Sequence, residues 1–337
     1  MLGHTWAVNL LRQHVAHERL RHAYLFAGPQ GVGRRTLAIR LAQAINCTQP
    51  PTPGDPCLAC RTCTQIEQMQ HSDLAVVQAE HIGGTLKVDQ VRELQHSLAL
   101  APYQARQRVA LLLRFEEANL NAANALLKTL EEPPGQAILL LTASDAESLL
   151  PTIVSRCEVL RLRPLPLDET ARGLQERWQV DEKQAHTLAH LAGGRPGYAI
   201  GLHQQPERLE QRQAWLETLY EILPGSRAQR FALADDLTKN KEHTKERVRQ
   251  MLNTWLSLWR DVMLATAQAA APLLNIDQTN TIHAIAAAIA LEQAHQVIAN
   301  LEKTLALLEH NVNTRLALEV LLLDLPHIRL PALEIGD

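Results

Sequence analysis

Two hydrophobic rhythms divide the chain. Up to about residue 163, short apolar runs alternate with segments whose apolar residues recur every three or four positions; beyond it only the second rhythm continues. Residues 5–19 place Trp6, Val8, Leu10, Leu11 and Val15 on an amphipathic helix, and His22 to Ala27 reads as a short, mostly apolar strand. Leu37 to Ile45 predicts a helix, Leu74 to Val77 a strand, and the helix beginning at Lys87 carries Val88, Val91, Leu94 and Leu98 on one face. Arg108 to Arg114 is the next strand. Asn124 to Glu132 then sets Leu126, Leu127 and Leu130 along one helical face, and Pro133-Pro134 stops it. After Gly135, the unbroken run Ala137 to Leu141 fits a strand buried on both faces of a parallel sheet. This alternation predicts an α/β domain with helices on both sides of its sheet.

Past Arg163-Pro164-Leu165-Pro166 the strand signals stop. Residues 167–178 and 181–192 read as helices, Gly193 to Gly197 as a turn, and the chain from about Gln205 to Leu325 as helical, with a cap at Pro224-Gly225 and breaks near Asn240 and Pro272. Leu252, Trp255, Leu256 and Trp259 repeat at three and four, the stripe of a core-facing helix. The expected division is an α/β domain over 1–164 with an inserted knob at 47–63, a small helical segment over 165–204, and an all-α domain over 205–337. The length of 337 residues suits two or three domains. With 46% apolar but only 4% aromatic residues, the packing should be mostly aliphatic. A formal charge of -3 supplies no global field for nucleic acid, so any contact with it would be a local patch. The basic run Arg106 to Arg108 has two readings, a face for DNA or a partner and, preferred, a solvated loop. No stretch has the length of a membrane span and the first residues lack a signal-peptide pattern, so a cytoplasmic protein is expected.

Two constellations carry chemistry. Four of the five cysteines, Cys47, Cys57, Cys60 and Cys63, fall within seventeen residues, the last three with two residues between neighbours. Four thiolates can enclose a zinc ion tetrahedrally in a closed, structural site; three at this spacing would also suit an iron–sulfur cluster. His71 and His81 read as surface or loop residues and not as further ligands. The second constellation follows the first strand: Gly28-Pro29-Gln30-Gly31-Val32-Gly33-Arg34-Arg35-Thr36. Its glycine spacing and strand–helix context are those of a phosphate-binding loop, Gly-x4-Gly-Lys-Ser/Thr. Arginines occupy the lysine and hydroxyl positions. Arg34 keeps the charge in a different shape, Arg35 cannot bind a metal cation, and the hydroxyl of Thr36 comes one residue late, about 100° around a helix. Gly28, Gly31, Gly33, Arg34 and Thr36 therefore form a vestigial cradle in which ATP with magnesium is doubtful.

The whole run Asn124 to Cys157, ending Leu149-Leu150-Pro151-Thr152-Ile153-Val154-Ser155-Arg156-Cys157, closely resembles the AAA+ subunits of bacterial clamp loaders. In that family the arginine of Ser-Arg-Cys is a finger that reaches a neighbouring subunit's ATP, which implies a catalytic role in trans for Arg156. The resemblance also implies a zinc knob, a helical lid and a C-terminal collar, whose pattern is matched by Leu301 to Leu323 with Asn311 to Leu316. Read without gaps from Asn124, the acidic pair of the second ATPase signature falls on Leu113 and Arg114; a three-residue deletion would substitute Glu116 and Glu117. The lid's sensor arginine falls on Gly197, and nearby Arg195 reads as a solvated turn residue. A finger kept while the ATPase signatures are degraded resembles the family's non-hydrolysing stator. The implied function is loading of the sliding clamp in DNA replication, as part of a hetero-oligomer with gamma/tau and delta subunits, with the sliding clamp contacted indirectly, primed DNA present in the assembled complex, and no membrane. Two alternatives stand beside it: an ATP-hydrolysing subunit of gamma/tau type using Arg34 and Glu116-Glu117, and a zinc-dependent nucleic-acid-binding module, which the near-neutral charge opposes.

Overall fold

The strand Ala23–Ala27 (β1) is apolar and buried at every position, which fits it for the inside of a parallel sheet. The computed structural model describes residues 1–329 except 82, 240–243 and 310–311, so the break expected near Asn240 and the Asn311 of the collar pattern lie outside the described residues. The chain groups into two compact units, Met1–Gln179 with Gly194–Tyr198, and Val180–Gly193 with Ala199–Asp337.

In the first unit, α1 (Thr5–Ala16) precedes β1, and α2 (Arg34–Asn46) and α3 (Arg61–Glu67) follow it. Then come β2 (Leu74–Val77), α4 (Val88–Leu98), β3 (Arg108–Leu112), α5 (Leu120–Glu131), β4 (Ala137–Ala143), the short α6 (Pro151–Val154), β5 (Glu158–Arg161) and α7 (Leu167–Trp178). The sheet order is β2-β3-β4-β1-β5 and every pairing is parallel. Because strand side chains alternate, Leu25, Ala110, Leu112, Leu139 and Leu141 join one core layer with residues of α4 and α5. Tyr24, Phe26, Val109, Leu111, Ile138 and Leu140 join the other, with residues of α1 and α2. This double burial is why β1, β3 and β4 read as continuous apolar runs. The α5 helix starts earlier than its leucine pattern suggests, at Leu120, because the Asn119 side chain accepts the amide of Ala122 and caps it.

Several expectations fail where helix phase or a long-range pairing decides what is buried. Trp6 is half exposed, since the buried positions of α1 are Ala7 and Leu11 and a residue one step away points about 100° off that line. Arg108 is not part of a solvated loop. Its guanidinium lies buried against Asp73 at 3.2 Å and donates to the carbonyls of Ser97 and Ala101. Asp73 also accepts the amides of Tyr103, Gln104 and Ala105. Burial works to raise its pKa, but these three amides and Arg108 outweigh it and hold the carboxyl below its usual range. His71 is likewise buried, its Nδ1 accepting the Asp73 amide, whereas His81 is exposed as expected.

The second unit is helical. It contains α8 (Glu182–Leu191), the larger part of α9 (Pro196–Gln204), α10 (Glu207–Ile222), α11 (Arg227–Thr238), α12 (Thr244–Thr266), α13 (Thr279–Ala288), α14 (Leu291–Glu309) and α15 (Thr314–Asp324). Leu252, Trp255 and Trp259 are fully buried at its centre, as their stripe predicts. Arg230, also buried, faces no carboxylate among the described residues. Its guanidinium donates instead to the carbonyls of Leu322, Leu325, Leu223 and Pro326 at 2.7, 2.6, 3.2 and 3.1 Å, satisfying acceptors at and just beyond the ends of α15 and α10. Among the described residues no single helix is long and apolar enough to cross a membrane.

Candidate functional site

The loop Gly28 to Gly33 joins β1 to α2 at the carboxyl end of the sheet, the usual position for a ligand in a parallel α/β fold. Glycine is required at two of its corners. A Cβ on Gly28 would stand 2.2 Å from the Leu162 carbonyl oxygen, and Gly31, at φ +86°, would place one 2.8 Å from the Tyr198 amide nitrogen. The loop is braced from outside: the Gly197 amide donates to Gly31 O at 2.7 Å, and His4 Nε2 donates to Val32 O at 3.1 Å. Burial lowers the basicity of His4, although its bond to Val32 works the other way. Val32 turns its own amide to Pro29 O, so that donor is already used.

Arg34 turns inward. Its side chain is 10% exposed, Nη1 lies 3.8 Å from Glu116 Oε1, and burial lowers its basicity despite that carboxylate. The pair is close in charge but unbonded: Nη1 of Arg34 and Oε2 of Glu116 are buried without a hydrogen-bond partner among protein atoms. Glu116 Oε1 accepts the Ser144 amide at 3.0 Å. Arg35 and Thr36 are exposed, and Arg35 reaches Met69 Sδ at 3.6 Å. Leu113 is buried in the core beside Val32 and Leu37, while Arg114, in the left-handed region at φ 50°, clasps the Glu117 carboxylate with Nε at 3.0 Å from each oxygen. Leu113 and Arg114 thus bring no carboxylate to the cradle, whereas Glu116, which the gapless reading skipped, does reach it. Arg195 is not a solvated turn residue. It is half-buried, its guanidinium stands 4.6 Å over the Tyr198 ring, and burial lowers its basicity.

Arg156 follows α6, whose proline sits at its first turn. Its Nη1 donates to Thr152 O at 2.9 Å and its Nη2 to Glu131 Oε1 at 2.7 Å, with 35% of the side chain exposed. Cys157 points inward, and burial pushes its thiol up to about 12, which makes it a packing residue and not a nucleophile. The turn is held at its far side by β5, which pairs with β1.

The four clustered cysteines converge, as their spacing predicts: their sulfurs all lie within 4.8 Å of one another. Four ligands on a tetrahedral zinc stand roughly 3.8 Å apart, and Cys57 and Cys63 Sγ are 3.9 Å apart. Amides point at the sulfurs, Cys57 N at Cys47 Sγ (3.3 Å), Cys60 N at Cys57 Sγ (3.2 Å) and Cys63 N at Cys60 Sγ (3.4 Å), the arrangement that stabilises thiolates. Burial opposes ionisation of Cys60, but hydrogen bonds from the Thr48 side chain and the Cys63 amide bring it down to about 5. Burial, and then Cys60 beside it, push Cys63 up. Such a cluster accumulates negative charge only when a cation shares it, and the donor set and spacing fit one zinc ion.

Comparison with known proteins shows the family of the chain. The family model described as DNA polymerase III, delta subunit, matches residues 3–166, and that described as DNA polymerase III, delta subunit, C terminal, matches 206–327. The chain is 37% identical over 223 residues to DNA polymerase III subunit delta' of Pseudomonas aeruginosa, covering 65% of this chain and 66% of that protein. It is 31% identical over 260 residues to subunit delta' of Bacillus subtilis, covering 76% of each. A DNA polymerase III gamma subunit-related protein from Thermotoga maritima has a similar structure, with a TM-score of 0.50 over 94% of this chain and 97% of that one at 16% identity, a likeness of fold.

Proposed function

Because the chain belongs to the delta-prime family of DNA polymerase III clamp-loader subunits, we propose that it acts as the non-hydrolysing stator of such a loader and supplies Arg156 to the ATP site of an adjacent gamma/tau subunit. The observation that carries this reading is the contrast between two arginines. Arg34 is turned into the chain's own cradle opposite Glu116, while Arg156 stands partly exposed on a braced turn. At the cradle, a guanidinium takes the place of the lysine that would meet the outer phosphates, the neighbouring acid is 3.8 Å from that cation, and no hydroxyl occupies the magnesium position. At the turn, a guanidinium can meet a neighbour's γ-phosphate and stabilise charge that develops as the phosphoryl group leaves, an effect worth about 10³- to 10⁵-fold in rate.

Gly28, Gly31, Gly33, Arg34 and Thr36 are then the remnant of a nucleotide site, kept for shape. Zinc held by Cys47, Cys57, Cys60 and Cys63 orders the knob and takes no part in hydrolysis, since four protein ligands leave no open position. The division into a nucleotide-binding-like domain (1–164), a lid (165–204) and a collar (205–337) is supported by the two family matches, which break between 166 and 206. Leu316, Val320 and Leu323, spaced by four and three on α15 and 57%, 53% and 39% exposed, supply an apolar strip for packing against other collars in a hetero-oligomer. The delta subunit, the sliding clamp and primed DNA are partners of the assembled, cytoplasmic complex.

One observation favours the alternative of an active gamma/tau-like ATPase, namely the presence of Glu116 beside the cradle. Turnover by the isolated chain separates the two readings. With saturating ATP and magnesium, no phosphate release above background is expected, and sustained turnover that is lost in Glu116→Gln would replace the stator reading with the ATPase one.

A further inference from the structure

We infer that Glu131 is a positioning residue for Arg156, holding the guanidinium in the orientation that a neighbouring subunit's phosphate meets; this rests on the role proposed above for Arg156. Glu131 is the last residue of α5, where an acid is unfavourable because the helix dipole is negative at that end. The adjacent Glu132 makes no ion pair among the described residues, whereas Glu131 takes the Nη2 of Arg156 at 2.7 Å across 25 residues of sequence. Pro133-Pro134 fixes the path of the chain directly behind it.

The second anchor is Thr152 O, which accepts Nη1 at 2.9 Å from within the turn itself. Guanidinium carries five N–H donors in a rigid plane. Two are engaged by Thr152 and Glu131, and Nε–H with one hydrogen on each Nη remains for an incoming anion. A phosphate can therefore be met without breaking either contact, which distinguishes a brace from a latch. Without the carboxylate, only the bond to Thr152 O would remain to order a long side chain before the phosphate arrives. The carboxylate also lowers the local positive charge, so it serves the finger through geometry and not through added field.

The test uses the reconstituted complex with its ATPase subunits and primed DNA. Glu131→Ala should lower kcat at the served site about 3- to 10-fold with KM for ATP unchanged. Glu131→Gln, which keeps an acceptor for Nη2, should stay within about twofold of the parent. In an Arg156→Ala background Glu131→Ala should have no further effect. Unchanged or increased kcat in Glu131→Ala, or an equal loss in the Arg156→Ala background, would overturn the inference while leaving the finger in place. If Arg156→Ala itself leaves turnover unaltered, the role proposed for Arg156 fails and the inference falls with it.

Discussion

Arg156→Ala should reduce ATP turnover at the site it serves by about 10³-fold or more while leaving the chain folded and assembled. The two halves of this expectation have separate physical origins. Folding survives because the Arg156–Glu131 pair is an exposed ion pair, of a kind that contributes about 0–1 kcal/mol. Turnover collapses because nothing else near the turn can replace a fork-shaped, permanently charged donor; lysine at 156 would keep the charge and lose the fork. The effect is read in a complex whose remaining ATPase sites have been silenced, by steady-state phosphate release with primed DNA, alongside a thermal melt of the variant chain. A parent-like rate with normal assembly would remove Arg156 from the chemistry.

The second large effect is expected at the cysteine knob. Cys63→Ser should abolish stoichiometric zinc, from about one ion per chain to none, because a closed site needs all four ligands. Structural zinc sites in small modules have apparent binding energies of about 10–16 kcal/mol that are also folding energies, so the segment from Cys47 to Glu67 should open locally. The damage should reach α2 through the bonds that join it to α3, the buried one from Gln43 Nε2 to Cys63 O at 2.7 Å and those from Arg40 and Gln43 to Glu67, and leave the sheet intact. Acidification should act in the same direction as the substitution. Thiolates must be deprotonated to bind, so zinc is released as pH falls; Cys60, lowered to about 5 before metal binds, is the ligand that resists protonation longest. Elemental analysis with hydrogen exchange over Arg61–Glu67 reads both outcomes. A variant that retains a full equivalent of zinc would contradict the four-ligand assignment.

Much of this arrangement is legible from residue order. The strands are readable because parallel strands buried on both faces are apolar along most of their length, as Ala137 to Leu141 is. The cysteine cluster is readable because ligand spacing is itself local. Pairings across distant parts of the chain leave no local trace. Asp73 and Arg108 lie 35 residues apart and are both buried, yet each alone looks like a solvated polar residue. Glu116 reaches the cradle by way of a short helical turn, Phe115–Glu117, that a gapless register passes over. Glu131 is similar: its position in an acidic pair before two prolines marks a helix end, and only the fold sets it against Arg156. The signal that would have pointed to it is an acid at the unfavourable end of a helix.

The most direct test is a structure of the assembled loader with an ATP analogue and primed DNA, in which the distance from the Arg156 guanidinium to a phosphate is measured. The account predicts hydrogen-bonding separation, about 2.7–3.1 Å, from the γ-phosphate of the neighbouring subunit's nucleotide, with Arg34 still facing Glu116. A magnesium–nucleotide held in this chain's own cradle through Glu116, with Arg156 remote from every phosphate, would contradict it.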